Sequence, residues 1–322
     1  MSTTPFFRLP IISFLVTFCV LFAQLISKLH QVDTQYMNYN YSPDFMRIIG
    51  LSLFMMLAVS ICLNKIKIYG FTFRNILFVA ITVLLSLFLS YWLDIYMTDT
   101  FSTIWNIQIA EGYQNFVFWY PLISRIGMML AIFVIVAIMT YIVKHYLHWS
   151  DETCNVDLVD NQIAKRVQLI YFITGYLAIN FLLQRYLYIS VYMYLGNGDV
   201  PEFQNFSFYL SSVMTAFLLM MYMKQDNHFN YHIHAKVVLK TIAYVIVSQL
   251  IISIIVSIIT IYVVQYYFVF TMPDDEIGRY THYLWLLYAM LNSIFAVSIL
   301  TCLLTYLAGR WWLKRVNYLS KI

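Results

Sequence analysis

Charge is what this sequence has least of. Asp, Glu, Lys and Arg make up only 11% of its 322 residues, whereas an ordinary soluble domain carries roughly 25%. Apolar residues make up 62%, and the excess runs the whole length, so no stretch reads as a separate soluble domain. Polar stretches between apolar runs reach only about 25 residues, short of the roughly 50 that a small independent domain needs. Glycine (9) and proline (6) are too scarce for a long flexible linker. Four cysteines form no disulfide framework: Cys19, Cys62 and Cys302 fall in apolar stretches and Cys154 in a polar one. The net charge of +4 is not gathered into a basic patch, which argues against nucleic acid as a partner.

Catalytic signatures are missing too. The chain has no phosphate-binding glycine loop, no G-x-S-x-G and no H-E-x-x-H. It has no paired histidines deep in an apolar run where haem would need them. Histidines do cluster in two polar stretches: His145 and His148 with Asp151 and Cys154, and His228, His232 and His234. Neither follows an established zinc spacing, so solvated loop histidines are expected, with no metal and no cofactor. The balance leans away from an enzyme.

What the sequence has instead is long uncharged runs. A helix needs about 20 apolar residues to cross hydrocarbon. The runs predict an all-α, polytopic membrane protein with about eight transmembrane helices and no soluble domain. The spans expected are 9–27, 46–64, 75–97, 121–146, 167–194, 205–223, 238–270 and 280–309, forming a single transmembrane domain over 1–322. The first run, Leu9 to Ser27, exceeds a signal-peptide core of about 7–15 residues and is read as a retained helix. Pro121 is expected to start the fourth helix, because proline fits a first turn. The long seventh and eighth runs should tilt or project beyond the bilayer.

Basic residues orient the spans. Fourteen Lys and Arg fall at the two termini and in 64–74, 144–166 and 224–240. The alternate segments hold only Lys28, Arg47 and Arg279. Lys and Arg concentrate on the cytoplasmic side, so both termini are expected there. Aromatic residues crowd the span ends, as interfacial belts do.

Polar residues recur at helical spacing inside three of the runs. Thr82, Ser86, Ser90 and Asp94 stand four apart, as do Tyr176, Asn180, Gln184, Tyr188 and Tyr192. The third set is Gln249, Ser253, Ser257 and Thr260. Residues at this spacing share a helix face. Close helix packing explains the hydroxyl stripes of the third and seventh helices. The fifth helix carries Arg185 beside its amides and tyrosines, and a guanidinium in hydrocarbon needs a partner, a wet cavity or an exit. Asp94, Arg125 and Arg185 should lie at similar depth near the outer face. Asp94 can also be read as a helix-end residue, and Arg125 as one that snorkels to the interface.

The candidate solute- or ion-binding residues are therefore Arg185, Asp94, Arg125, Asn180, Gln184 and Tyr188, with Arg185 expected to pair with Asp94 or to line a vestibule. The leading expectation is a transporter, channel-like protein or flippase component for an anionic or amphiphilic solute. The alternatives are a non-catalytic accessory subunit of an envelope complex and a membrane-embedded enzyme acting on lipid-linked substrates. Membrane lipids are the expected partners, with other membrane subunits possible. Short loops and compactness place the chain in a bacterial inner membrane.

Overall fold

The computed structural model describes residues 4–31, 42–66, 68–106, 110–146, 161–184, 202–225, 235–264 and 297–315. All regular structure among the described residues is helical, with no strand. The helices are α1 (Thr4–Gln31), α2 (Ser42–Ile66), α3 (Phe73–Ile104), α4 (Ala110–His145), α5 (Asn161–Ile179), α6 (Glu202–Gln225) and α7 (Ala235–Val264). A π-helical turn, Asn180–Gln184, continues α5, and residues 297–315 form a further helix, α8. Among the described residues five helical stretches are long and apolar enough to cross a membrane: Phe6–Ser27, Asp44–Ile66, Phe73–Ile104, Trp119–His145 and Leu239–Val256. Val167–Leu183 is a shorter apolar helix.

The chain divides into two compact units, Met1–Tyr186 and Leu187–Ile322. In the first, α2 packs on α1, α4, α5 and the π turn, and α3 lies against α1 and α4. Its core gathers Leu51, Met55, Val59, Val83, Ile132 and Leu182. Burial is inverted relative to a water-soluble protein. Ser13, Ser52, Ser86 and Ser90 are fully buried, while Leu77, Ile81, Leu84, Phe88 and Trp92 lie on the exposed face of α3. Water would penalise that face; hydrocarbon would not, since lipid tails are as apolar as leucine.

Local signals set the helix ends. Thr72 caps α3 by accepting a hydrogen bond from the Asn75 amide at 3.3 Å, and Asn75 Nδ2 donates to the Gly70 carbonyl at 2.9 Å. At the far end Asn106 takes a left-handed φ of 46°, which asparagine tolerates and which stops the helix. At about 1.5 Å per residue, α3 is about 48 Å long, more than a hydrocarbon core of about 30 Å. Tyr171 of α5 pins that helix to α2 by accepting hydrogen bonds from Ser60 Oγ at 3.0 Å and from Asn64 Nδ2.

Two expected helix ends move. Pro121 lies inside α4 rather than at its start. The missing amide removes one intrahelical bond, but the helix still extends back to Ala110. The fifth helix, expected over 167–194, takes π geometry over Asn180–Gln184, and residues 185–194 lie outside those described. The last helix continues past Arg310 to residue 315. Its basic residues find aromatic faces there: Arg310 lies 5.1 Å from the Tyr222 ring and Arg315 lies 5.0 Å from the Trp311 ring.

The second unit contains α6, α7 and α8. Gln249 Nε2 of α7 donates to Ser212 Oγ of α6 at 2.8 Å, and Trp312 Nε1 of α8 donates to Ser248 Oγ of α7 at 3.1 Å. Gly309 of α8 faces Leu219 of α6 so closely that an added Cβ would sit 3.0 Å from Leu219 Cδ2. Small and polar residues thus hold these helices together.

Candidate functional site

The hydroxyl stripe of α3 leads to the site. Thr82, Ser86 and Ser90 are buried, and each donates to the carbonyl one turn back, at 2.8, 2.7 and 2.6 Å. These rungs satisfy themselves and serve packing. Asp94 is the fourth rung and differs in kind, because a carboxylate can only accept. It reaches across to α4. Its Oδ1 accepts from Tyr120 Oη at 2.8 Å and from Ser124 Oγ. Thr98, one turn on, meets the same tyrosine hydroxyl.

Aromatic packing holds that tyrosine. Phe116 stacks on Tyr120 with ring centroids 4.8 Å apart, Trp105 meets Phe116 at 6.2 Å, and Phe101 stacks on Trp105 at 4.9 Å. The rings clasp the end of α3 against α4. They fix the donor that orients Asp94.

Asp94 also lines a cavity of about 340 Å³. The end of α1 contributes Leu21, Gln24, Leu25 and Ser27; the start of α2 contributes Asp44, Arg47, Ile48 and Leu51; α3 adds Tyr91 and Asp94. The volume falls at the lower end of the range for small-ligand sites, about 300–1,000 Å³. Its wall combines two carboxylates, one guanidinium, an amide and four aliphatic side chains. Such a lining can hold a charged head and an apolar tail together.

The other predicted residues fall elsewhere. Arg125 is only 9% exposed, and its Nη1 lies 3.3 Å from Met128 Sδ. It faces protein rather than snorkelling outward, although its neighbour Ser124 touches Asp94. Asn180 is fully buried at the head of the π turn; its Nδ2 donates to the Tyr176 carbonyl at 2.9 Å, and its Oδ1 has no hydrogen-bond partner among the described residues. Gln184 closes the π turn in backbone only, its side chain lying outside what is described, as do Arg185 and Tyr188 altogether. The expected pairing of Arg185 with Asp94 therefore falls outside the described residues. So do His148, Asp151, Cys154 and the histidines at 228, 232 and 234, while His145 lies 4.3 Å from the Tyr141 ring. Among the described residues no three His, Cys, Asp or Glu side chains gather to hold a metal.

Sequence reasoning missed Asp44, Arg47, Gln24 and Ser27. Asp44 and Arg47 sit one helical turn apart at the start of α2, and that spacing was the available signal. Tyr120 and Ser124 were missed as well, although they stand four apart on the face of α4 that meets Asp94. No family model, no curated protein and no solved structure matches this chain.

Proposed function

We propose that this chain is a multi-pass protein of a bacterial inner membrane that carries or flips an amphiphilic solute. In this reading eight helices span the bilayer, both termini are cytoplasmic, and the cavity at Asp94 opens toward the outer face. The observation that carries the reading is the cavity lining. Asp94 and Asp44 suit a cationic group, Arg47 suits an anionic one, and Leu21, Leu25, Ile48 and Leu51 suit an apolar chain. Orientation rests on the sequence, where Lys and Arg concentrate in alternate loops. Asn180, Gln184, Arg185, Tyr188 and Arg125 are kept as further candidates for solute contact, because a guanidinium in an apolar span calls for a polar surrounding.

The test uses the purified full chain in vesicles doped with a phospholipid labelled on its acyl chain. Dithionite added outside bleaches the label in the outer leaflet only. The protein should accelerate bleaching of the inner pool, and Asp94→Asn or Arg47→Gln should slow it about tenfold, as loss of about 1.4 kcal/mol would. Asp94→Asn keeps the side-chain shape and removes the charge, while Arg47→Gln removes the charge and shortens the side chain. Bleaching no faster than in protein-free vesicles would defeat the reading and favour an accessory subunit.

A further inference from the structure

We propose that the end of the second unit where α6 stops, α7 starts and α8 stops binds the phosphate of an anionic phospholipid, with an acyl chain lying along α8. The proposal is independent of the cavity in the first unit.

Side chains bring the three helix ends together. Tyr222 and Tyr306 meet edge to face with ring centroids 6.4 Å apart, and Arg310 lies over the same Tyr222 ring, so α6 and α8 finish side by side. Trp312 stacks on Tyr244 at 4.3 Å, which brings the start of α7 to the same level. Five exposed cations stand at this end: Lys224 on α6, Lys240 on α7, and Arg310, Lys314 and Arg315 on α8.

No acid balances them among the described residues of the unit. Glu202 is the only acidic residue in those helices, and it starts α6 whereas Lys224 ends it, about 33 Å away by helix rise. In sequence, Asp226 is the only acid between Glu202 and Asp274, and none follows Glu276. Three of the cations rest on rings instead: Arg310 on Tyr222, Arg315 on Trp311 at 5.0 Å, and Lys240 on Tyr244 at 5.8 Å. A ring attracts a cation but accepts no ordinary hydrogen bond, so the guanidinium donors remain available for phosphate oxygens. Lys236 and Lys240 also stand in the first two turns of α7, where the helix dipole disfavours a cation and a bound anion would offset that cost.

The surface below the charges separates a lipid from a soluble anion. Leu300, Leu304, Leu307 and Trp311 recur three or four apart along α8 and are 40–57% exposed. The stripe runs into Lys314 and Arg315. Tryptophan sits well at headgroup level, with acyl chain on one side and phosphate on the other. A phospholipid matches the leucines, the indole and the cations together; free phosphate would use the cations alone.

Native mass spectrometry of the detergent-solubilised full-length chain tests the site, with dioleoyl phosphatidylglycerol and dioleoyl phosphatidylcholine supplied in equal amounts. Phosphatidylglycerol should be retained about fivefold over phosphatidylcholine, the ratio that a single favourable basic contact gives. The triple variant Arg310→Gln, Lys314→Gln, Arg315→Gln should abolish the preference. Changing three exposed cations of the first unit, Arg8→Gln, Arg74→Gln and Lys144→Gln, should leave it in place. Equal retention of the two lipids by the unaltered protein would overturn the proposal, whether or not any variant folds. Equal loss of preference in both triple variants would overturn it as well, since it would mark a diffuse charge effect. So would displacement of bound phosphatidylglycerol by millimolar inorganic phosphate, which would make this a site for free anions.

Discussion

Replacing Asp94 with leucine should destabilise the purified protein by about 1.5–3 kcal/mol. The substitution removes the acceptor for two hydroxyls of α4, those of Tyr120 and Ser124. Hydrogen bonds to a charged group contribute about 1.5–3 kcal/mol each, and the donors left behind lose more than the pair gained. Two effects hold the total below the simple sum. Tyr120 keeps Thr98 as a neighbour, and Ser124 can turn to a carbonyl of its own helix, as Ser86 and Ser90 do. Leucine also relieves the desolvation of a carboxylate, but Asp94 borders a cavity and is only partly buried, so that relief is small. A denaturant titration of the detergent-solubilised protein measures the loss. A double-mutant cycle with Ser124→Ala should give a coupling of about 0.5–3 kcal/mol. Zero coupling would show that the Asp94–Ser124 contact does not hold α3 to α4.

Gly50→Leu should have an effect of similar size, from a different cause. Gly50 is buried where α2 passes the π turn, and an added Cβ would lie 3.0 Å from both Phe181 Cβ and Leu182 Cγ. The leucine side chain can yield, but Phe181 Cβ is fixed to its backbone. A larger group must therefore push the π turn off α2, and such overpacking typically costs 1–3 kcal/mol. Gly50→Ala separates the terms. Glycine in a helix interior is less favourable than alanine by about 0.8–1.0 kcal/mol. That gain should roughly offset the tight Cβ, leaving alanine near neutral and leucine about 2 kcal/mol worse. Equal stability of the two variants would mean that the π turn is free to move.

The architecture was largely legible because the solvent constraint is so strong. Uncharged runs of about 20 residues admit few readings in a chain this apolar, and among the described residues five emerge as long apolar helices. The α3 stripe was legible as well, because a four-residue period survives in the folded helix. What its last rung touches was not. Asp94 needed Tyr120 and Ser124 from α4, and a pairing between helices leaves no period in either one. Arg47 and Asp44 looked like ordinary residues of a helix start, and only the approach of α1 and α3 makes them a cavity wall. The end of an uncharged run proved a poor guide to the end of a helix. Arg310 lies over the Tyr222 ring while α8 continues for another turn. The π turn at Asn180 has no marker in N-F-L-L-Q; it lies where Gly50 of α2 admits Phe181 and Leu182 at close range.

Site-directed labelling tests the central claim, a bundle crossing the membrane with the Asp94 cavity on its outer face. In a protein with its native cysteines replaced, single cysteines are placed at Ser27, on the cavity wall, and at Phe71, between α2 and α3. Both positions are exposed. The account predicts that a membrane-impermeant maleimide labels the Ser27→Cys protein in intact cells and the Phe71→Cys protein only after permeabilisation. Labelling of Phe71→Cys in intact cells with Ser27→Cys protected, or equal access to both, would contradict it.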